Sequence, residues 1–126
     1  MLDYEPLLPA VIIKGKKINV PIIQGGMGVG VSLSPLARAV AQEGGLGIVS
    51  SACLDRLVSK RNGEKKNAYE AALEEVSLAK AGGGFAGINI MCALVRDYED
   101  SVRGALDAGA DAIISGAGLP LSLTAI

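Results

Sequence analysis

Three stretches of the chain share one local grammar: AQEGGLGIVSS (41–51), AKAGGGFAGINIM (79–91) and LDAGADAIISG (106–116). Each ends an Ala-rich helical pattern at glycine and enters a short run of β-branched residues, which is how a helix hands over to a strand. With Ile22, Ile48, Ile88 and Ile113 as strand centres, the spacings are 26, 40 and 25 residues. The shorter spacing fits a strand, a loop and a helix of about three turns. The longer one holds an insertion, placed in the polar stretch from Asp55 to Asn67.

The intervening segments read as amphipathic helices. Ser34 is expected to cap the first, with Pro35 at its first helical position and Leu36, Ala37, Val40 and Ala41 as an apolar stripe ending at Gly44. The second starts near Asn67 and turns Tyr69, Ala72, Leu73, Val76 and Ala79 inward. The third carries Asp97, Glu99 and Asp100 in its first turn, where the helix dipole favours anions, and buries Val102, Ala105 and Leu106. Strands apolar on both faces, alternating with such helices, predict a parallel α/β sheet. Ahead of them AVIIKGKKINV (10–20) reads as a hairpin around Gly15. The choice lies between an open doubly wound sheet and a TIM (β/α)8 barrel. For a barrel, residues 1–126 hold an N-terminal hairpin (1–19) that plugs one end and about the first four strand units (20–126), half of the ~250 residues the fold takes. The second half is then expected beyond this chain.

Composition narrows the partners. The net charge is −1, no face is one-sidedly basic, and one Phe, three Tyr and no Trp leave no stacking platform, which argues against nucleic acid. Lys60 to Lys66 forms the single basic cluster and reads as a solvated loop. The uncharged window from Ile18 to Ala37 contains Pro21, Pro35 and four glycines, so no membrane span is expected. Cys53 and Cys92 fit neither a redox pair nor a zinc pattern and read as small apolar residues. With no charged-then-apolar leader, they point to a reducing cytoplasm.

In a barrel the loops leaving the carboxyl ends of the strands form the active face. Here these are 24–32, 50–53, 89–93 and 115–120, and they contain no charged residue. Such a surface suits a neutral, flat ligand reached by backbone amides. There is no His to act as the usual general base and no cluster of metal-ligating types, so neither a catalytic residue nor a metal site is expected within the chain. GGMGVG (25–30) departs from the G-x-G-x-x-G register, and no acidic residue ends the second strand, so a dinucleotide fingerprint is weak. The glycines let the chain lie against a planar ring; the alternative is a tight turn with no ligand. Asn89 sits in an otherwise apolar strand and needs partners, either a ligand with donors and acceptors or a neighbouring backbone. Asp111, ahead of its strand, is expected to cap or turn on the opposite face.

Taken together, VPIIQGGMGVGVSLSPLARAVAQEGGLGIVSS (20–51), GINIM (87–91) and GADAIISGAGLP (109–120) resemble the nitronate monooxygenase family, formerly called 2-nitropropane dioxygenases. That family includes the flavin-type enoyl-acyl-carrier-protein reductases. The resemblance implies a TIM barrel that binds FMN, with the backbone of Gly25, Gly26, Met27 and Gly28 against the isoalloxazine ring. Asn89 would bond the ring's pyrimidine edge, Ser115 and Gly116 would line the site, and Gln24 would lie behind the ring or in the core. The family's catalytic histidine, in a Gly-Gly-His stretch, and its phosphate-binding loops belong to later strands and do not occur in these 126 residues.

One function is expected foremost, with two alternatives to it. The first is the N-terminal half of an FMN-dependent nitronate monooxygenase oxidising alkyl nitronates with dioxygen. The second is an enoyl reductase or related NAD(P)H-dependent flavin oxidoreductase taking an enoyl thioester. The third is an inactive barrel fragment, which would self-associate or need its complementary half because its edges stay open.

Overall fold

The computed structural model describes residues 8–126, so residues 1–7 of the expected 1–19 hairpin segment lie outside the described residues. The hairpin itself forms from β1 (Val11–Ile13) and β2 (Lys16–Ile18), paired antiparallel around a turn with Lys14 and Gly15 at positive φ. The order then runs α1 (Ser34–Gln42), β3 (Leu46–Ser50), α2 (Leu54–Asn62), α3 (Ala68–Lys80), β4 (Phe85–Met91), α4 (Val95–Asp107) and β5 (Ile113–Gly116). A short 3₁₀ turn, Leu123–Ala125, comes last.

β3, β4 and β5 form a parallel sheet in chain order. On the free side of β3 the chain at Ile23 adds one parallel bridge to Leu46. The expected first strand, centred on Ile22, is therefore only this bridge, flanked by hydrogen bonds from Leu46 N–H to the Ile22 carbonyl (2.9 Å) and from Gln24 N–H to the Leu46 carbonyl (3.0 Å). Pro21 lacks an N–H, and the Ile22 N–H turns back to the Val20 carbonyl (2.7 Å), so regular pairing starts late.

Side chains alternate across the sheet. Val49, Ala86, Ile88, Ile90 and Ile113 pack into one core with Ala37 of α1, Val58 of α2, Ala72, Val76 and Ala79 of α3, and Val102 and Ala105 of α4. All four helices thus contribute to the core on one face. The other face carries Leu46, Ile48, Ala112 and Ile114, and the hairpin covers it with Val11, Ile13 and Ile18. A doubly wound sheet would place helices on both faces and reverse its strand order at a switch point. Neither happens among the described residues, and the arrangement is compatible with consecutive units of a barrel.

Several local expectations need correction. The stretch placed as a polar insertion is largely the helix α2, which buries Leu54 and Val58 one turn apart and ends at Gly63 in the left-handed region. Lys60 and Arg61 are accordingly helical rather than in a loop. Ser34 does not cap α1 but begins it, and the carboxylate of Glu75 on α3 accepts the Ser34 N–H (2.7 Å). α4 starts at Val95, which leaves only Asp97 of its acids in the first turn, and Leu106 is exposed. Cys53 is exposed, whereas Cys92 packs against the core. Asn67 does start α3, through a reciprocal capping box with Glu70. Asp111 lies on the expected opposite face, but as a bridge rather than the expected cap or turn: its side chain is 5% exposed, accepts the Ala86 N–H (3.0 Å) and pairs with Lys80 (2.6 Å) and with Lys16 of the hairpin.

Candidate functional site: a glycine loop beside Asn89

The carboxyl-end loop after Gln24 is built by two side chains. Where the next backbone rung would pair with β3, the Gln24 amide takes its place: Ile48 N–H donates to Gln24 Oε1 (3.1 Å), and Gln24 Nε2 donates to the Ile48 carbonyl (3.1 Å). The main chain from Gly25 onward is thereby released from the ladder while the sheet stays satisfied.

Nε2 also donates to Ser32 Oγ (3.1 Å). Ser32 is 1% exposed and closes the loop from within. Its Oγ accepts the Met27 N–H (2.9 Å) and donates to the Gly25 carbonyl (3.3 Å). Its own N–H donates to the Met27 carbonyl (3.0 Å), and its carbonyl accepts the Ser50 N–H (2.8 Å). A hydroxyl has one proton and two lone pairs, and here all three are engaged. Held this way, Met27 and Val29 are 64% and 68% exposed at the loop's tip.

Behind the loop lies Asn89, on the face of β4 opposite the helices and in register with Ser50 of β3 and Ile114 of β5. Its Nδ2 donates to the Gly26 carbonyl (3.3 Å), so a neighbouring backbone supplies part of what this amide needs. Among the described residues no donor reaches Oδ1, which lies on the Gly116 side: a Cβ built on Gly116 would stand 4.0 Å from it. The loop approaches so closely that a Cβ on Gly26 would lie 2.6 Å from Asn89 Cβ, and one on Gly28 2.9 Å from Ala52 Cβ. Both positions are closed to any side chain.

Of the residues expected to hold a ring, Gly26, Gly28, Asn89 and Gly116 are brought together, with Gly25 and Met27 on the exposed side of the same loop. Ser115 is turned away, its Oγ 2.7 Å from Tyr98 Oη in the helix layer. Gln24 and Ser32, which fix the loop, carry no chemistry of their own. Nothing local marks them: the partners of Gln24 include a residue 24 positions away. Val29, Cys53 and Ala117, non-glycine residues at φ of 52°, 56° and 54°, lie on three carboxyl-end loops. Left-handed backbone costs such residues about 1 kcal/mol or more, and strain of this kind gathers at ligand sites.

On the opposite, amino-end face sits Asp111. Burial pushes its carboxyl up, but the hydrogen bonds from Lys16, Lys80 and the Ala86 N–H outweigh that and hold it below the ordinary carboxylate range. The charged cluster thus ties the hairpin to the sheet, away from the glycine loop. No helix among the described residues is long and apolar enough to cross a membrane.

No curated protein matches the chain. A family model described as Nitronate monooxygenase matches residues 10–71, from the hairpin through the glycine loop, α1, β3 and α2 into the start of α3. Gly25, Gly26, Met27 and Gly28 fall inside the match, while Asn89, Ser115 and Gly116 lie beyond it and stand on their position in the fold. Over residues 10–71, just under half of its length, this chain is similar to the nitronate monooxygenase family, a family of flavin-dependent oxidoreductases.

Proposed function

We propose that the chain carries the flavin-ring seat of an FMN-dependent oxidoreductase of the TIM-barrel type, whose reaction is the oxidation of an alkyl nitronate with dioxygen. The observation that carries this reading is the unpartnered Asn89 Oδ1 beside a bare glycine backbone, on loops free of charge. The residues fit the group. The Cβ directions of Gly26 and Gly28 point back at Asn89 and Ala52, so at neither position does a side chain stand on the outer side of the loop, where a planar ring can lie, and the Gly25 N–H, without an acceptor among the described residues, is a further donor to it. Asn89 Oδ1 is an acceptor suited to the imide N–H of the ring's pyrimidine edge. Gly116 keeps the space beside that oxygen open.

FMN would supply the electron transfer between nitronate and dioxygen, chemistry that no side chain of this set provides. The chain's own part is to bind and orient the ring, shield one of its faces and present an uncharged surface to it. The proton-handling histidine and the phosphate loops that complete such a site would come from further barrel strands. Ser115 would contribute through its main chain alone, since its hydroxyl is engaged by Tyr98.

The test is to express the complete reading frame that contains this chain, purify the product and record its visible spectrum. A bound flavin with bands near those of free FMN is expected, and a colourless protein that takes up no added FMN would refute the reading. Oxygen uptake with an alkyl nitronate is then compared with NADPH oxidation in the presence of an enoyl thioester. The first is expected to dominate. If the second dominates, the same seat belongs to an enoyl reductase.

A further inference from the structure

We infer that Ser32 is a positioning residue for the cofactor seat: it acts through the glycine loop, holding Gly25 to Met27 in their ring-binding shape before any ligand arrives. The inference rests on the reading of that loop as a flavin seat. Three features of the structure lead to it. First, Ser32 lies outside the glycine run, yet its hydroxyl engages both ends of the segment Gly25–Met27, and its main chain ties Met27 to Ser50 of β3. Second, the hydroxyl is fully engaged and 1% exposed, so it has no capacity left for a ligand; its role is internal. Third, beyond this clasp the segment has one tether to the sheet, the hydrogen bond from Asn89 Nδ2 to the Gly26 carbonyl. Gly25 has nothing within 4 Å of where a Cβ would be, and the tip residues Met27 and Val29 are mostly solvent-exposed.

A glycine-rich segment loses more freedom on ordering than any other, and a ligand that had to order it would bind more weakly by that amount. The Ser32 clasp removes this cost in advance. Gln24 supports it, since its Nε2 bridges Ser32 Oγ and the Ile48 carbonyl and so fixes the hydroxyl against the sheet.

The experiment compares the protein with Ser32→Ala, Gln24→Leu and, as a control, Val58→Ala, which opens a cavity in the core between α2 and the sheet, on the face opposite Asn89. Two quantities are read. One is amide hydrogen exchange at Met27 and Ser50 without FMN; the other is the FMN dissociation constant, from quenching of flavin fluorescence. In Ser32→Ala, exchange at Met27 is expected to accelerate about tenfold or more and FMN to bind about tenfold more weakly. Gln24→Leu should move both in the same direction by less. Val58→Ala should lower the melting temperature while leaving Met27 exchange below the transition and FMN affinity unchanged.

Unchanged Met27 exchange in both loop variants would overturn the clasp, whatever FMN does. Faster exchange with unchanged FMN affinity would overturn the positioning role and leave the flavin reading intact. Failure of the unsubstituted protein to bind FMN would overturn the flavin reading, and the positioning role with it. If Ser32→Ala does not fold, Gln24→Leu decides between the same outcomes.

Discussion

At the scale of single residues, Gly26 and Asn89 form one unit. A methyl group at residue 26 would sit 2.6 Å from the Asn89 Cβ, and neither partner is the far end of a flexible chain. Gly26→Ala should therefore push the loop off β4 and weaken FMN binding about tenfold or more, with a smaller loss of thermal stability, both measurable by titration and melting. Asn89→Leu keeps the branched shape, with a larger volume, but removes acceptor and donor together; it should abolish the proposed flavin complex while the Gly26 carbonyl turns to water. Asp111 gives the molecule an acid limit of its own. Its folded-state pKa lies below its unfolded value, so its stabilisation is complete above the unfolded pKa of about 3.9 and disappears as pH falls through the folded one. Melting temperature should drop below about pH 4, and Asp111→Asn, less stable at pH 7, should flatten that drop. Asn89 is legible from sequence because an amide inside an apolar strand demands partners. Ser32 is not, because an uncharged serine in a glycine-rich run gives no sign that three groups converge on it.

Among the elements, α1 is held at its start by another helix. Glu75 on α3 is fully buried, with Oε2 on the Ser34 N–H, while Oε1 makes no aligned hydrogen bond and is balanced by the charge of Arg61. Burial works to lower the Arg61 pKa, but Glu75 and Glu74 outweigh it and raise it above the ordinary value, so the guanidinium stays charged. Removing the carboxylate with Glu75→Ala leaves a helix N-terminus without its acceptor. A loss of about 2–4 kcal/mol is expected by denaturant unfolding, with Glu75→Gln retaining part of it. The capping box at α3 should respond less, Asn67→Ala costing about 1 kcal/mol. Helix α3 and its cap, the hairpin and three of the four parallel segments are readable from periodicity and glycine punctuation. Helix α2 is obscured because its buried stripe is only Leu54 and Val58 amid a polar run, too short to outweigh it. The first strand is shorter than its apolar run suggests because Pro21 and the Gln24 side chain alter pairing in ways that such a run does not reveal.

On the scale of the molecule, the sheet has two lateral edges that are uncharged and, among the described residues, unpaired: the segment 21–24, with Ile22 and Ile23 59% and 48% exposed, and β5. Natural edges usually carry charge, bulges or cover. The isolated 126-residue chain is accordingly expected to associate, with light-scattering mass rising with concentration in the micromolar range, and Ile23→Lys should reduce it. A mass that stays monomeric at all concentrations would show that the edges are shielded in solution. The Gln24 amide has one more consequence for such a scaffold. Because a side chain rather than a backbone rung terminates the pairing, the register of the sheet does not depend on the loop sequence after residue 24. The exposed tip from Val29 to Val31 can then be exchanged or lengthened between Gly28 and the Ser32 anchor, so a single framework can be re-tuned to different substrates above the proposed ring seat.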